Sequence, residues 1–397
     1  MLPNRRRTLL IAASSSGVLT SISVHAQPAI PATQGVTKNE ILLGSIQDLS
    51  GPIALYGKFI RNGMLMRAEE ENEAGGIHGR KIKLLVEDSG YDPKKALLAA
   101  DKLIGRDKVF AIVGTLGTTV MMASMPKALE KGVIHAFPLA AARESYEPLH
   151  PLKFANFAPY FDAIRTGTKW LVKEKNAKRV GILYQDDDFG SEILQGAEAG
   201  LKDIGLALVE KTSYKRGATD FASQIARLKA AGAQIIVLGT TLRETVGAMA
   251  EAKKIGWSVE MIATHAAHSA LVTRLGKEAV EGLYTTAQTP IAYPDDATTE
   301  AKRWIDNYRK RYNEEYESSA TAGYIAMDLF IRGLQGAGPQ LTNLGWAKAM
   351  EKVQVPRDIF RGSGYSFSPT KHLGGNRIRM TQVRGNRFVN VTDFLDN

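Results

Sequence analysis

The sequence predicts an α/β fold built from two Rossmann-like lobes with parallel sheets, joined by a three-strand hinge. Short apolar runs alternate with segments of helical periodicity, which is typical of parallel strands connected by helices. The alternation begins near residue 41 and restarts near residue 179 with elements of similar size and order. The chain has 397 residues, more than one hydrophobic core usually supports, so two lobes are expected.

The first lobe is predicted from four buried strands, the first of them ILLGSI (41–46), and the helices between them. Ile60, Met64 and Ala68 are spaced four residues apart, so they share one face of a helix that Gly75-Gly76 would end. The other apolar runs are KIKLLVED (81–88), VFAIVG (109–114) and VIHAF (133–137). Such runs, separated by helices, predict a parallel sheet that is covered on both faces.

The second lobe is predicted from the same alternation. Its expected strands are RVGILY (179–184), LALVEKT (206–212), QIIVLG (234–239) and VEMIA (259–263). Three segments without a clear helical period are expected to cross between the lobes and form the hinge: 151–161, 282–290 and 361–370. The predicted boundaries are 38–157 plus 287–362 for the first lobe, and 158–286 plus 363–397 for the second.

An export signal is predicted at the N-terminus. Arg5, Arg6 and Arg7 precede a moderately apolar, serine-rich run, and Val24-His25-Ala26 has the form of a signal-peptidase site. Residues 1–26 are therefore expected to be a signal peptide cleaved after Ala26, and the mature chain to be periplasmic. The three arginines fit both the general and the twin-arginine export routes. The alternative to a cleaved signal peptide is a retained N-terminal anchor. The chain has no cysteine, so disulfides and lipid attachment at Cys are excluded.

Charge argues against nucleic acid as a partner. Residues 1–26 contain three arginines and no acids, so their removal lowers the formal net charge from +10 to +7. Basic residues are interspersed with acids, as in Lys173-Glu174-Lys175, and no basic block carries interleaved aromatics. The charge is expected to keep the protein dispersed and to favour anionic ligands weakly.

Six motifs in one order resemble the leucine/isoleucine/valine-binding family of periplasmic receptors. They are SGPIALYG, GGIHGRKIKLLVEDSGYDP, VFAIVGTLGTT, FPLAAARESYEP, RVGILYQDDDFG and DFASQIARLKAAGAQIIVLG. The resemblance implies a type I periplasmic-binding-protein (Venus-flytrap) fold, whose cleft closes on a small ligand. It also implies a monomeric receptor of an ABC importer that delivers its ligand to an inner-membrane permease. The alternative is a receptor that reports to a membrane sensor kinase or chemoreceptor.

The loop VGTLGTT is the expected carboxylate site. The strand is expected to end at Gly114 and a helix to begin around residues 119–120, so Gly117, Thr118 and Thr119 would lie at a helix N-terminus. Free N–H groups and the helix dipole there favour an anion. In the family this loop holds the ligand carboxylate. The alternative is that Thr119 merely caps its helix.

Two further loops depart from the family pattern. The second binding loop contains Leu139 and Ala140 where the family commonly has a threonine that helps to hold an α-amino group, so only backbone carbonyls remain as acceptors there. After VEMIA the sequence reads Thr264-His265-Ala266-Ala267-His268, without the family's acid. Because a buried ammonium needs acceptors, the pocket is expected to favour an acid without an α-amino group. His265 or His268 would pair with a ligand anion or hydroxyl, and the alternative is that both are solvated.

Three more residues are expected at the cleft. Tyr56 in the first lobe and Phe189 in the second match aromatic wall positions of the family, although either residue would also fit an ordinary core. Thr241 follows the strand IIVLG, where a third cleft loop is expected.

Metal, cofactor and catalytic sites are not expected. Asp186-Asp187-Asp188 lacks the spacing of a calcium loop and is expected to cap the next helix. The histidines lack metal-ligand spacing such as HExxH, and the chain has neither a GxSxG elbow nor a phosphate-binding GxxxxGK[ST] loop. The sequence therefore predicts a binding protein and not an enzyme.

Overall fold

The computed structural model describes residues 33–397. The predicted signal peptide, residues 1–26, lies outside the described residues. The strands are β1 Glu40–Gln47, β2 Lys81–Asp88, β3 Ala111–Val113, β4 Ile134–Ala136, β5 Lys153–Phe154, β6 Val180–Gln185, β7 Leu208–Tyr214, β8 Ile235–Gly239, β9 Glu260–Ala263, β10 Tyr284–Ala287, β11 Gln354–Val355, β12 Tyr365–Ser366, β13 Arg377–Arg384, β14 Arg387–Asn390 and β15 Leu395–Asp396.

Helices connect most of these strands. The α-helices are α1 Ala54–Glu73, α2 Pro93–Asp101, α3 Thr118–Glu130, α4 Tyr160–Glu174, α5 Asp188–Lys202, α6 Ala222–Ala230, α7 Leu242–Lys254, α8 Ala270–Gly276, α9 Thr299–Tyr312, α10 Ser318–Ala337 and α11 Asn343–Met350. None of the helices formed by residues 33–397 combines the length and the apolar character needed to cross a membrane.

The first lobe surrounds a five-stranded sheet with the order β2-β1-β3-β4-β5. All neighbouring strands are parallel, and Leu43 in β1 pairs with Leu84 of β2 on one side and Ala111 of β3 on the other. Ile41, Leu43 and Ile46 are fully buried because helices cover both faces of this sheet. The second half of the chain contributes α9, α10 and α11 to this lobe, and Phe330 of α10 packs against Phe110 and Trp346.

The second lobe surrounds a mixed sheet with the order β14-β13-β10-β9-β8-β6-β7, and β15 pairs with β13. The strands from β10 to β7 are parallel, whereas β13 and β14 form an antiparallel hairpin at one edge. Every residue of β8 is buried, as expected for a central parallel strand. The predicted α/β fold with parallel sheets in two lobes is confirmed.

Two of the predicted crossing segments differ from the prediction in their secondary structure. Residues 151–161 hold only the short edge strand β5, and α4 already begins at Tyr160. Residues 282–290 hold β10, which lies inside the second sheet between β9 and β13. All four of its residues are buried, and Tyr and Thr favour strands, so the sheet interior suits this segment better than the space between lobes.

The third predicted crossing packs against the first lobe. Strand β12 pairs with β11, and Phe367 contacts the rings of Phe137 and Phe154 in the first core. His372 stacks on Phe154 with ring centroids 3.8 Å apart. We therefore propose that the chain leaves the first lobe after Leu373 and not at the predicted residue 363.

The crossing segments hydrogen-bond to one another where they pass between the sheets. Gln288 lies at the centre, because its Oε1 accepts from the N–H of Ala158 and its Nε2 donates to the carbonyl of Asn156, both at 2.7 Å. The N–H of Gly374 donates to the carbonyl of Ala155 at 2.8 Å. The predicted three-segment connection is present, although short loops rather than regular strands carry most of it.

Candidate functional site

A cavity of about 140 Å³ lies between the two lobes. Most of its wall comes from segments that follow parallel strands, which is where open α/β sheets bind ligands, and α10 supplies the rest. Much of the wall is apolar or aromatic: Ile53, Tyr56, Ile60, Tyr91, Leu116, Leu139, Phe157, Tyr160, Phe189, Ala322 and Ile325. Polar atoms are contributed by Thr118, Thr241, His265, His268, Ser269, Gln288, Ser318, Ser319 and Thr321, among others. The volume matches a ligand about the size of a benzene ring.

Seven of the nine predicted site residues line this cavity: Tyr56, Gly117, Thr118, Leu139, Phe189, Thr241 and His265. The other two do not. Thr119 is buried next to Thr118 at the start of α3, and Ala140 packs against Met121, Met125 and Ala142. The carbonyl of Leu139 already accepts a hydrogen bond from the N–H of Gly117 at 3.2 Å, so it is engaged within the protein.

The N-terminus of α3 faces the cavity. The helix begins at Thr118, one residue before the expected start, and Gly117 occupies the N-cap position without a side-chain cap. Thr119 therefore does not cap this helix. The Oγ1 atom of Thr118 is buried and makes no hydrogen bond to any described residue. A hydroxyl donor and uncapped helical N–H groups thus meet at one point of the wall, which suits an anion.

Gly117 is required by this arrangement. Its φ is +95°, in the region that favours glycine, and an added Cβ would lie 2.4 Å from Cε2 of Tyr91. The absence of a side chain thus allows the loop after β3 to pass directly against Tyr91, which follows β2.

His265 lies in an aromatic stack and is partly buried. Its ring is nearly parallel to those of Phe157 and Tyr160, with centroid distances of 5.4 and 4.8 Å. Its Nδ1 atom is buried and has no partner within the described residues. Burial lowers the pKa of His265 to about 4, so the ring is neutral at pH 7.

His268 is also partly buried, and it reaches toward the second sheet. Its Nδ1 lies 2.9 Å from Thr285 Oγ1 and 3.2 Å from Thr381 Oγ1, while its ring edge contacts Phe388. Burial is the main cause that lowers its pKa to about 3, and the nearby His265 and Arg379 contribute less. Both histidines line the cavity wall and are partly buried.

Comparison with known proteins identifies the family. Residues 40–387 match the family described as periplasmic binding protein. This chain belongs to that family. A leucine-, isoleucine-, valine-, threonine- and alanine-binding protein of Pseudomonas aeruginosa is 24% identical over 307 residues, covering 77% of this chain and 81% of the relative. The resemblance to the leucine/isoleucine/valine-binding type is thereby confirmed.

Solved structures show the same fold. A branched-chain amino acid ABC transporter protein from Thermus thermophilus with bound valine has a TM-score of 0.83 at 18% identity, covering 91% of this chain and 98% of that one. A solute-binding protein from R. palustris in complex with benzoate has a TM-score of 0.79 at 17% identity, covering 90% and 98%. At these identities the likeness concerns the fold.

This periplasmic binding protein has hydrogen bonds that join its lobes around the cavity. The hydroxyl of Tyr56 in α1 donates to the carbonyl of Ala266 at 3.1 Å. At another edge, the Arg216 guanidinium lies over the ring of Tyr91 and donates to the Tyr91 carbonyl. Gln185 Nε2 also donates to the Tyr91 hydroxyl at 3.3 Å. These contacts require the lobes to be close together, so the structure represents a closed arrangement.

Two buried acids of the periplasmic binding protein lie near the cavity, and the sequence did not indicate either. Glu317 is fully buried at the start of α10, where its carboxylate accepts from Ser269 Oγ and Ser318 Oγ at 2.6 Å, from the N–H of Ser319 at 2.7 Å, and from the Ser319 hydroxyl. Glu244 in α7 is buried and accepts from Thr241 Oγ1 at 2.6 Å. Two features of the sequence could have pointed to these acids: the capping position of Glu317 before α10, and the (i, i+3) spacing of Thr241 and Glu244.

The aspartate run behaves as a helix cap. Asp187 is the N-cap of α5, and its side chain accepts from the N–H groups of Phe189 and Gly190 at 3.1 and 3.4 Å. It thereby fixes the start of the helix that brings Phe189 to the cavity. Within residues 33–397, no group of three or more His, Cys, Asp or Glu side chains is arranged to hold a metal ion.

Stability is expected to fall as the pH drops from about 6.5 toward 4.5. The pKa of His265 is about 4 when folded, below its ordinary value of 6.5, so the unfolded chain binds a proton that the folded chain does not. This contribution is fully present above the ordinary pKa and is lost as the pH falls toward the folded one, by at most about 1.4 kcal/mol per pH unit. Urea unfolding of His265→Phe, which keeps a ring in the stack, should show a smaller slope of unfolding free energy against pH.

The matched control is His78→Asn, at an exposed turn position with φ of +49°, which Asn tolerates. This variant should keep the wild-type slope. Equal slopes for the wild type and His265→Phe would contradict the assignment of a buried neutral ring.

Proposed function

We propose that this protein is the extracytoplasmic solute-binding receptor of an ABC importer. It binds a small carboxylate with an apolar or aromatic body in the cavity between its lobes and delivers it to a membrane permease from the periplasm. The observation that carries the proposal is the uncapped N-terminus of α3 with the unpartnered Thr118 hydroxyl, opening into a largely apolar cavity.

The carboxylate is assigned to the Thr118 end of the cavity. A carboxylate there accepts hydrogen bonds from Thr118 Oγ1 and from the first N–H groups of α3, and the helix dipole adds a favourable interaction. The rest of the ligand packs against rings and aliphatic side chains, including Phe189, Leu139 and Ile325. This division between one polar end and an apolar body is common among small-molecule sites.

The body of the ligand is expected to lack an α-amino group. An ammonium buried here needs acceptors, yet neither buried acid near the cavity, Glu317 or Glu244, lines it. Glu317 already accepts four hydrogen bonds from three serines, and Glu244 accepts from Thr241 Oγ1. A carboxylate offers about four acceptor positions, so Glu317 has none left over. The Leu139 carbonyl already accepts one of its two possible hydrogen bonds, from the N–H of Gly117. Branched-chain amino acids are the competing ligands, as the name of the Pseudomonas aeruginosa relative illustrates.

A thermal-shift screen of the mature chain tests the proposal. Benzoate and 4-methylpentanoate should raise the melting temperature by about 5 °C at 100 times their dissociation constants. Benzamide and 4-methylpentanamide are matched controls that keep the apolar body and remove the charge, and they should have little effect. Stabilisation by leucine and valine alone would overturn the amine-free assignment. No stabilisation by any carboxylate in the set would contradict the proposed ligand class.

A further inference from the structure

A second cavity between the lobes is lined by five arginines. It has a volume of about 610 Å³ and shares His268 and Pro290 with the first cavity, so these two residues form part of the wall between them. Its arginines are Arg357, Arg361, Arg379, Arg384 and Arg387. Two acids, Asp295 and Asp296, also line it, which leaves five positive charges against two negative ones.

Among the five arginines of this cavity, Arg387 alone forms ion pairs with Asp295 and Asp296. It forms a bidentate pair with Asp295 and a longer contact of 3.4 Å with Asp296. The other four arginines form no ion pair with any carboxylate of residues 33–397. Arg384 donates to the side chain of Gln382 at 2.8 Å, which leaves its charge uncompensated.

Arg379 in β13 is the most constrained of the four. Its guanidinium carbon lies 3.8 Å from the centroid of the Phe394 ring, which holds the side chain in place. Its Nε–H is buried and has no acceptor among the described residues. Burial and then the positive charge of Arg357 lower its pKa, and Asp393 offsets this only in part. A buried donor without a partner and two like charges together are costly unless an anion is bound.

The arginines come from both sides of the cleft. Arg357 and Arg361 follow β11 in the first lobe, whereas Arg379 and Arg384 belong to β13 in the second sheet. An anion between them contacts both lobes and therefore stabilises the arrangement in which the lobes are close.

We propose that this second cavity binds a small multivalent oxyanion, a diphosphate or a polycarboxylate, between Arg357 and Arg361 of the first lobe and Arg379 of the second. Guanidinium groups match both phosphate and carboxylate oxygens in bidentate geometry. The concave shape and the volume fit a small molecule. This site is separate from the carboxylate position at Thr118 and does not depend on the ligand of the first cavity.

Calorimetric titration of the full mature chain with sodium diphosphate and with sodium citrate tests this site. Each titration is made at constant ionic strength set with NaCl, because exposed arginines attract anions less at high salt. Acetate serves as the monovalent control. Binding of at least one multivalent anion, with a dissociation constant at least tenfold below that of acetate, is expected. Binding of diphosphate alone would identify a phosphate ligand, and binding of citrate alone would identify a polycarboxylate. Binding of neither above acetate would overturn the proposal.

Variants locate the anion. Arg379→Gln and Arg357→Gln should each weaken binding at least tenfold, whereas Arg303→Gln, an exposed position on the nearby α9, should not change it. Loss of Arg379 also removes its stacking on Phe394, which affects folding. Arg361→Asn is therefore added as a further cavity variant, because Asn tolerates the φ of +64° at position 361. Unchanged affinity in all the cavity variants would overturn the proposal. So would loss of anion binding in Thr118→Val, since the anion would then occupy the first cavity.

Discussion

Thr118→Val is expected to weaken binding of the carboxylate ligand by about 10- to 100-fold and to raise the unfolding free energy of the ligand-free protein by about 1 kcal/mol. The hydroxyl is buried and lacks a partner within residues 33–397, so it destabilises the protein until a ligand accepts its hydrogen bond. Valine keeps the shape and removes the polar atom. Titration calorimetry and urea unfolding measure the two effects.

The opposite signs of these effects distinguish a binding residue from a structural one. Thr168 in α4 provides a matched control, because its Oγ1 is also buried and without a partner in the described chain, yet it does not line the cavity. Thr168→Val should raise stability in the same way and leave ligand affinity unchanged. If Thr118→Val bound the ligand as tightly as the wild type, the carboxylate would not lie at α3.

Glu317→Ala is expected to lower the unfolding free energy by about 3 kcal/mol and to weaken ligand binding. The substitution removes the N-cap of α10 and leaves the hydroxyls of Ser269, Ser318 and Ser319 without their charged acceptor. Ser269 begins α8 of the second lobe, so its bond to Glu317 also joins the lobes in the closed arrangement. Urea unfolding and ligand titration measure the two losses.

Glu300→Ala is the control for this prediction. Glu300 lies in the first turn of α9 and its side chain is 60% exposed, so the change should be within about 0.5 kcal/mol. A Glu317→Ala protein as stable as Glu300→Ala would show that the buried network contributes little. Ser269→Ala, which keeps Glu317 but removes one interlobe bond and the side-chain cap of α8, should weaken ligand binding and lower the unfolding free energy by about 1 kcal/mol.

Most strand positions along the chain followed from hydrophobic periodicity. Runs such as IIVLG are apolar throughout because both faces of a parallel strand are covered, and that signal survives in a single sequence. Strand β10 was missed because YTTA is short and half polar. Thr285 pairs with a residue distant in the chain, because its Oγ1 lies 2.6 Å from Thr381 Oγ1. Periodicity does not report such long-range pairing.

The site was predictable where residues follow a strand and not elsewhere. Thr118, Leu139, Thr241 and His265 come directly after strands, and parallel strands bring their carboxyl ends to one edge. Glu317 begins a helix far along the chain, where an acid is an ordinary cap, and its place beside Ser269 depends on how the lobes meet. The arginines of the second cavity come from three separate elements, so only the folded chain brings them together.

A crystal structure of the protein with the most stabilising carboxylate from the thermal-shift screen would show where the ligand binds. We expect one ligand in the cavity between the lobes, with a carboxylate oxygen about 3 Å from Thr118 Oγ1 and its apolar body against Phe189 and Leu139. A carboxylate bound away from the N-terminus of α3, or a ligand outside this cavity, would contradict this expectation.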